Sequence, residues 1–251
     1  MIDLEILALP LKPEIQAGDD LTELLYLALR GRRLTLRDGD LLVVCHKVVS
    51  KAEGRIVELD SITPSPTAKA WAARFGKDPR LVELVLSQAR RIVRMQDGII
   101  IAETVHGFVA AHCGVDRSNA PPGSAILLPV SPDASARRLA KGLGRRFRCQ
   151  AACLISDTFG RPWRLGLVDV ALGLYGFDPL LDLRGEKDLH GRELSTTILA
   201  VADQAAAAAG LLMGKGEGVP AVLVRGLDLP PPGPKSNGKR LLRSARHDLF
   251  R

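Results

Sequence analysis

The sequence is poor in aromatic side chains, has no long apolar run and shows no targeting segment. Aromatic residues make up 4% of the 251 residues, which leaves little material for stacking on nucleic-acid bases. No apolar run reaches the roughly 20 residues that a membrane-spanning helix needs. The N-terminus also lacks the basic start and the apolar stretch of a signal peptide. We therefore predict a cytoplasmic protein whose partners are neither nucleic acids nor membranes.

Cysteine is scarce as well, and its four positions form no C-x-x-C pair. Cys45 and Cys153 lie within apolar, strand-like runs, where a small buried thiol is common. This pattern predicts reduced structural thiols, and it disfavours a cysteine metal centre or a disulfide framework.

The net charge of +7 indicates an anionic partner. Basic residues are spread over several predicted elements, which favours a phosphorylated small molecule over nucleic acid. A non-catalytic basic module that binds nucleic acid or another anion stays open as an alternative, motivated by Arg145, Arg146 and Arg148.

Helical and strand-like patterns alternate along the chain. The predicted helices occupy 21–31, a segment from Asp78 whose inner face includes Leu84 and Ile92, 132–143 and 196–212. The predicted strands occupy 41–45, 99–102, 108–111, 151–156 and 219–224. The pattern predicts a mixed α/β (α+β) fold forming a single unit over 1–251, with 230–238 as a flexible linker and 239–251 as a basic C-terminal tail.

Two acidic segments could hold a hard cation. The first, 114–119 (GVDRSN), places Asp116 and Asn119 three residues apart after an apolar strand. The second, 155–164 (ISDTFGRPWR), joins Asp157, Thr158 and Arg161, and such groups can bind Mg²⁺ and phosphate. Simple turns stay open as alternatives, with Trp163 packed against the core in the second case.

Two further segments could contact phosphates. Lys47 and Lys51, with His46, follow the strand at 41–45, where ammonium groups can bind phosphate oxygens. Segment 213–218 (MGKGEG) is glycine-rich backbone that can approach a ligand closely, although it is not a Walker motif. Surface lysines and an ordinary loop are the alternatives.

These segments together make the sequence resemble the coenzyme F420-0:L-glutamate ligase family over nearly its whole length. The most specific strings are VSKAEG at 49–54, HGF at 106–108, GVD at 114–116 and 156–163; RGE at 184–186, GREL at 191–194 and VRG at 224–226 add to them. Because the chain ends on the family's own DLFR at 248–251, it resembles the stand-alone form rather than the form fused to a flavin-binding domain.

The resemblance implies a GTP-dependent ligase with a mixed α/β fold and an intimate homodimer. Such a ligase phosphorylates the terminal carboxylate of the lactyl-phosphate arm of F420-0, and the amine of L-glutamate then displaces phosphate, in some members repeatedly. The implied cations are Mg²⁺ or Mn²⁺ at two sites, with K⁺ as a further one. A ligase that acts on a different phosphorylated acid remains an alternative.

The resemblance also implies roles for matching positions. Asp116 and Asp157 resemble ligands of one metal and Thr158 a ligand of a second, while Lys51 and Arg161 join the two aspartates as catalytic candidates. The nucleotide contacts are expected from Lys12, Pro13, Glu14, Ile15, His46, Lys47, Lys51, Asn119, Met213, Gly214, Lys215, Gly216 and Glu217.

Two positions depart from the family. His46 stands where relatives often carry a small or amide residue. Lys215 stands where some have a metal-binding glutamine, although an ammonium group cannot ligate a cation.

Overall fold

The computed structural model describes residues 3–11 and 14–248. Within these ranges the strands are β1 (Glu5–Leu9), β2 (Leu41–Cys45), β3 (Ile56–Glu58), β4 (Ala89–Gln96), β5 (Ile99–Thr104), β6 (Val109–Ala111), β7 (Ser124–Ile126), β8 (Ala152–Arg161), β9 (Arg164–Tyr175), β10 (Leu181–Asp182), β11 (Ile198–Leu199) and β12 (Ala221–Arg225). The α-helices are α1 (Leu21–Gly31), α2 (His46–Ala52), α3 (Pro66–Phe75), α4 (Pro79–Gln88), α5 (Pro132–Phe147) and α6 (Val201–Gly210). The fold is mixed α/β, which confirms the predicted class.

The central sheet has five strands in the order β1-β12-β2-β8-β9. β2 and β8 are parallel, with Leu41 opposite Ala152 and Cys45 opposite Ser156, and the other neighbours are antiparallel. Because β2 and β8 run in the same direction, their carboxyl ends reach the same edge of the sheet, and residues that follow them lie close together.

The two faces of this sheet carry separate layers of helix. Leu42 and Val44 on β2 share a core with apolar residues of α1 and α5. Leu41 and Val43 alternate to the other face and share a core with the alanine-rich side of α6. Successive strand residues point to opposite faces, so a fully apolar run such as 41–45 is what a sheet covered on both sides requires.

Local sequence signals explain where the helices begin. The side chain of Asp20 accepts hydrogen bonds from the backbone N–H groups of Thr22 and Glu23 at the start of α1. Asp78 caps α4 in the same way, with Pro79 at the first helical position.

A third core, apart from the two that cover the central sheet, lies within residues 56–127. It joins α3 and α4 to the β4-β5-β6 and β3-β7 sheets. The predicted strand pair 99–102 and 108–111 is confirmed as β5 and β6. The prediction that Ile92 belongs to the inner face of a helix is wrong. α4 ends at Gln88, and Ile92 lies on β4 opposite Ala102 of β5, since pairing with β5 stabilises extended backbone there.

The structure also corrects the predicted strand 151–156. β8 continues through Asp157 and Thr158 to Arg161, because β9 pairs with it along this length in an antiparallel hairpin. Trp163 lies in the hairpin turn and is 81% exposed, so it does not pack against the core. The sequence reading omitted β9.

Segment 230–238 and the start of the C-terminal tail contact the main body. Oγ of Ser236 donates to Asp178, and the backbone N–H of Gly238 donates to Oδ1 of Asp133. Arg240 forms an ion pair with Asp178. Residues 249–251 of the predicted tail lie outside the described residues.

The four cysteines are free thiols, as predicted. Within the described ranges, no helix is long and apolar enough to cross a membrane.

Candidate active site

A cavity of about 770 Å³ lies at the carboxyl ends of β2 and β8. Its walls come from α2, the β8-β9 hairpin, the loop around 116–122, the loop 210–220 and the segment near Ile15. Segments far apart in sequence meet here because β2 turns into α2 at this edge, while its parallel neighbour β8 continues into the hairpin with β9.

Most of the predicted site residues line this cavity. They are Glu14, Ile15, Lys47, Lys51, Asp116, Asn119, Asp157, Thr158, Met213, Gly214, Lys215 and Gly216. Among the described residues, His46, Arg161 and Glu217 are not part of the lining. Lys12 and Pro13 lie outside the described residues.

Asp116 lies after β6, in an extended segment that bridges to Ile126 of β7. Its carboxylate accepts hydrogen bonds from the backbone N–H of Ser118 at 2.7 Å and from the Ser118 hydroxyl at 2.8 Å. It also forms an ion pair with Lys47, with Nζ 2.6 Å from Oδ2. Burial tends to raise the pKa of Asp116, but the Lys47 ammonium and the Ser118 donors outweigh burial and hold this pKa below its ordinary value. The carboxylate therefore stays ionised at neutral pH.

Asp157 follows the last β8 residue that pairs with β2, so it stands at the edge of the parallel pair. Its Oδ1 accepts a hydrogen bond from the backbone N–H of Thr158 at 2.7 Å. The fully buried ring of His46 lies behind it, with Nε2 3.2 Å from the same oxygen. Among the described residues, this Nε2 has no hydrogen-bond partner. Because His46 is fully buried and is not part of the cavity lining, it contacts Asp157 from the interior of the protein.

The sequence did not predict a third aspartate of the cavity lining, Asp169 on β9. Its Oδ1 accepts a hydrogen bond from the Thr158 hydroxyl at 2.9 Å. Burial raises the pKa of Asp169; the nearby charge of Asp157 adds to the rise, while the Thr158 hydroxyl and Lys215 oppose it. The register of the β8-β9 hairpin, which sets Thr158 opposite Asp169, is the signal that could have identified it.

One side of the cavity is basic, because Lys47 and Lys51 of α2 and Lys215 of the glycine-rich loop line it. Nζ of Lys51 on α2 lies 2.7 Å from Oε1 of Glu14, and this hydrogen-bonded contact with Lys51 lowers the pKa of Glu14. The amide of Asn119 donates to the backbone carbonyl of Lys215 at 3.1 Å, which joins the loop after Asp116 to the glycine-rich loop.

Arg161 lies at the tip of the β8-β9 hairpin, where its guanidinium donates to the carbonyl of Leu165 at 3.1 Å. Glu217 is exposed on the glycine-rich loop. The roles predicted for these two side chains and for His46 therefore have less geometric support than those of the residues that line the cavity.

Of the four cysteines, Cys45 lines the cavity, at the end of β2. Burial raises its pKa to about 11, so it stays protonated at neutral pH. It is thus poorly suited to act as a nucleophile or as a thiolate ligand.

The available donors are carboxylate and hydroxyl oxygens, which fit Mg²⁺ or Mn²⁺. Residues 3–11 and 14–248 contain no cluster of three or more His, Cys, Asp or Glu side chains arranged to hold an ion. A cation that uses one or two carboxylates together with substrate phosphates needs no such cluster. The arrangement fits a cation that arrives with a phosphorylated ligand.

Comparison with known proteins identifies the family of this chain. The family model described as F420-0:Gamma-glutamyl ligase matches residues 11–226. The coenzyme F420:L-glutamate ligase of Methanopyrus kandleri is 47% identical over 253 residues, covering 99% of this chain and 98% of that protein. The protein of the same name from Methanothermobacter thermautotrophicus is 47% identical over 242 residues, covering 95% of each chain. The one from Methanocaldococcus jannaschii is 42% identical over 217 residues, covering 86% of each. With most of its length matched, and with three aspartates and three lysines lining one cavity, this chain belongs to the F420-0:Gamma-glutamyl ligase family.

Proposed function

We propose that this chain is a GTP-dependent ligase that joins L-glutamate to coenzyme F420-0. The observation that carries the proposal is the cavity in which Asp116 and Asp157 face Lys47, Lys51 and Lys215. Relatives of nearly equal length carry the name coenzyme F420:L-glutamate ligase, which supports the choice of both substrates.

The proposed reaction has two steps. A carboxylate oxygen of F420-0 attacks the γ-phosphorus of GTP, so that GDP leaves and an acyl phosphate forms. The amine of glutamate then attacks the acyl carbon, inorganic phosphate leaves with the bonding electrons, and the amine loses a proton as the amide forms. Neither step needs a covalent nucleophile from the protein, which agrees with the protonated Cys45 thiol.

Bringing a carboxylate to a triphosphate gathers several negative charges, and the cavity must neutralise them. We assign Asp116 and Asp157 to the first divalent cation, Mg²⁺ or Mn²⁺, and Thr158 to the second. When bound, these cations supply positive charge that stabilises the transferring phosphoryl group. Lys47, Lys51 and Lys215 add ammonium groups to the same region.

The nucleotide would occupy the basic side of the cavity. Asn119 supplies an amide, and Lys51 supplies a buried ammonium that Glu14 orients at 2.7 Å. Gly214 and Gly216 contribute backbone lining without side chains, which leaves room for the triphosphate. Met213 adds an apolar side chain to the same loop.

We also propose the homodimer that the family resemblance implies. The β8-β9 hairpin exposes Leu165 fully, at 99%, together with Trp163 and Leu167. Contiguous exposed apolar side chains often mark protein interfaces. Light scattering coupled to size-exclusion chromatography should give twice the chain mass, and the Leu165→Asp variant should shift the protein towards monomer.

The direct test of function is a product assay. The purified protein is incubated with GTP, Mg²⁺ or Mn²⁺, L-glutamate and F420-0, and products are followed by mass spectrometry. We expect GDP and a coenzyme heavier by one glutamyl group to appear in equal amounts, and the masses over time give the number of glutamates added. GDP release only with a different phosphorylated acid would assign another acceptor, and salt-sensitive RNA binding with intact GTP would favour the non-catalytic alternative.

A further inference from the structure

Asp169 is a carboxylate of the cavity for which the sequence suggested no role. It lies on β9 directly opposite Thr158 of β8, so the two side chains leave the hairpin on the same face. The Thr158 hydroxyl donates to Oδ1 of Asp169 at 2.9 Å, and both residues line the cavity.

The fold leaves a fitted space for this carboxylate at the end of α6. A Cβ atom added at Gly210 would lie 2.0 Å from Oδ2 of Asp169 and 2.9 Å from its Cγ. Any side chain at position 210 would therefore collide with the carboxylate. The absence of a side chain there lets Asp169 approach the helix while keeping its contact with Thr158.

The direction of the hydrogen bond determines what Thr158 can offer to a ligand. A threonine hydroxyl has one proton and two lone pairs. Because the proton is donated to Asp169, the remaining capacity of Oγ1 is to donate electron pairs. A carboxylate that accepts a hydrogen bond from a ligating group also orients that group and strengthens it as a ligand.

The carboxylate of Asp157 lines the same cavity as this pair, with a histidine on its buried side. The buried Nε2 of His46 lies 3.2 Å from Oδ1 of Asp157, the residue before Thr158, without a completed hydrogen bond among the described residues. Asp157 on β8 and Asp169 on β9 therefore both contribute a carboxylate to the cavity lining. Their mutual repulsion is relieved when a cation binds between or beside them.

We propose that Asp169 is the positioning residue of the second cation site, where it holds the Thr158 hydroxyl with its lone pairs towards the cavity and adds negative charge to the site. This inference rests on the proposed function, since it takes the cation to be the divalent ion of the ligase reaction. Asp169 acts through Thr158, so the two side chains form one functional unit.

The test measures Mn²⁺ binding, by the loss of the free Mn²⁺ signal in electron paramagnetic resonance, with Mn²⁺ alone and with a non-hydrolysable GTP analogue. In wild type we expect two Mn²⁺ ions with the analogue. Asp169→Asn should weaken the binding of one of these ions by about 10-fold or more, the range seen when the hydrogen-bond partner of a metal ligand is removed. Thr158→Val should weaken the binding of the same ion, whereas Thr158→Ser, which keeps the hydroxyl, should retain it.

A double-mutant cycle separates this role from general damage to the fold. If Asp169 acts through Thr158, adding Asp169→Asn to Thr158→Val should weaken Mn²⁺ binding little further. The matched control is Asp203→Asn, because Asp203 is also a partly buried carboxylate beside β9, where it accepts from the N–H of Ala171 outside the cavity lining. It should leave both ions unchanged.

Three results would overturn the inference: a wild type that binds no second ion, an Asp169→Asn variant that binds both ions normally, or single-variant effects that simply add. The outcome is also separable from the proposed function. Loss of one Mn²⁺ in Asp169→Asn without any glutamylated product from wild type would reject the ligase reaction and keep the site. Normal product formation by wild type, with unchanged Mn²⁺ binding in Asp169→Asn, would support the ligase reaction and reject the role of Asp169 in the site.

Discussion

Nζ of Lys47 lies 2.6 Å from Oδ2 of Asp116, so an ammonium group occupies the carboxylate that we assign to the first cation. The ammonium also donates to Oγ of Ser118, which itself donates to the same carboxylate. A divalent ion that binds Asp116 has to replace this ammonium, because two positive groups would otherwise share one carboxylate. Under the proposed function, we therefore expect cation binding at Asp116 to release the Lys47 ammonium into the cavity.

The first prediction concerns this competition. Lys47→Gln should bind Mn²⁺ more tightly, by roughly 1.4- to 5-fold, since a partly exposed ion pair contributes about 0.2–1 kcal/mol. The same variant should form product more slowly, because the ammonium freed by the cation is missing near the phosphates. Isothermal titration with Mn²⁺ and a GDP-release assay measure the two effects. Lys69→Gln, at an exposed position on α3, serves as control, and Mn²⁺ binding that is unchanged or weaker in Lys47→Gln would rule out the competition.

Asp157→Asn should abolish turnover while leaving the fold nearly intact. A neutral amide holds Mg²⁺ more weakly than a carboxylate, and the shape of the side chain is retained. GDP release and the circular dichroism melting curve should be compared with those of Asp228→Asn, which changes an exposed aspartate outside the cavity. Near-normal turnover in Asp157→Asn would remove this residue from the cation site.

Gly210→Ala tests the fit between α6 and Asp169. The added Cβ would lie 2.0 Å from Oδ2 of Asp169, so we expect a loss of about 1–3 kcal/mol in the free energy of unfolding together with weaker Mn²⁺ binding. Gly31→Ala is the matched control, because Gly31 also ends a helix and its added Cβ would meet nothing within 4 Å. Chemical denaturation of both variants gives the comparison, and equal stability of the two would show that the site at 210 is not tight.

Asp203 provides a pH-dependence with a defined sign. Burial raises its pKa above the ordinary value of 3.8, although the Ala171 N–H opposes the rise. At neutral pH the folded state therefore carries an unfavourable buried charge, which is relieved as the pH falls through the raised pKa and the folded state takes up a proton before the unfolded state does. Asp203→Asn should be more stable than wild type at neutral pH, and the difference should vanish below about 3.8. Melting temperatures between pH 3 and pH 8 test this; a constant difference would contradict it.

The sequence allowed the elements with strong local signals to be predicted. The Asp20 cap followed by an apolar stripe defined α1, and the apolar run 41–45 defined β2, because both patterns depend on neighbours in sequence. The family resemblance then selected Asp116 and Asp157, whose own chemistry fitted a turn equally well. The structure shows that Asp116 does both, since it accepts the N–H of Ser118 in a turn and faces the cavity.

What the sequence reading missed depends on contacts between distant segments. β9 begins with residues that are exposed on both faces, so it has no clear alternation, and its extended form comes from pairing with β8. Asp169 becomes a site residue only through the hairpin register, which includes irregularities beside Ser156 and Arg161. The Lys47 to Asp116 ion pair likewise requires α2 and the loop after β6 to meet, and no local pattern encodes that meeting.

The central sheet ends unevenly, because β8 continues after β2 has turned into α2. The cavity at this end is therefore built from two kinds of segment, paired strands and an exposed loop. Asp157, Thr158 and Asp169 stand on paired strands, so their spacing is fixed by a ladder of backbone hydrogen bonds. The glycine-rich loop with Lys215 is exposed and is tied to the opposite wall through Asn119. We therefore expect this loop to tolerate exchange while Asp157, Thr158 and Asp169 keep their geometry. Under the proposed function, it is the segment to exchange when a different phosphoryl donor is wanted.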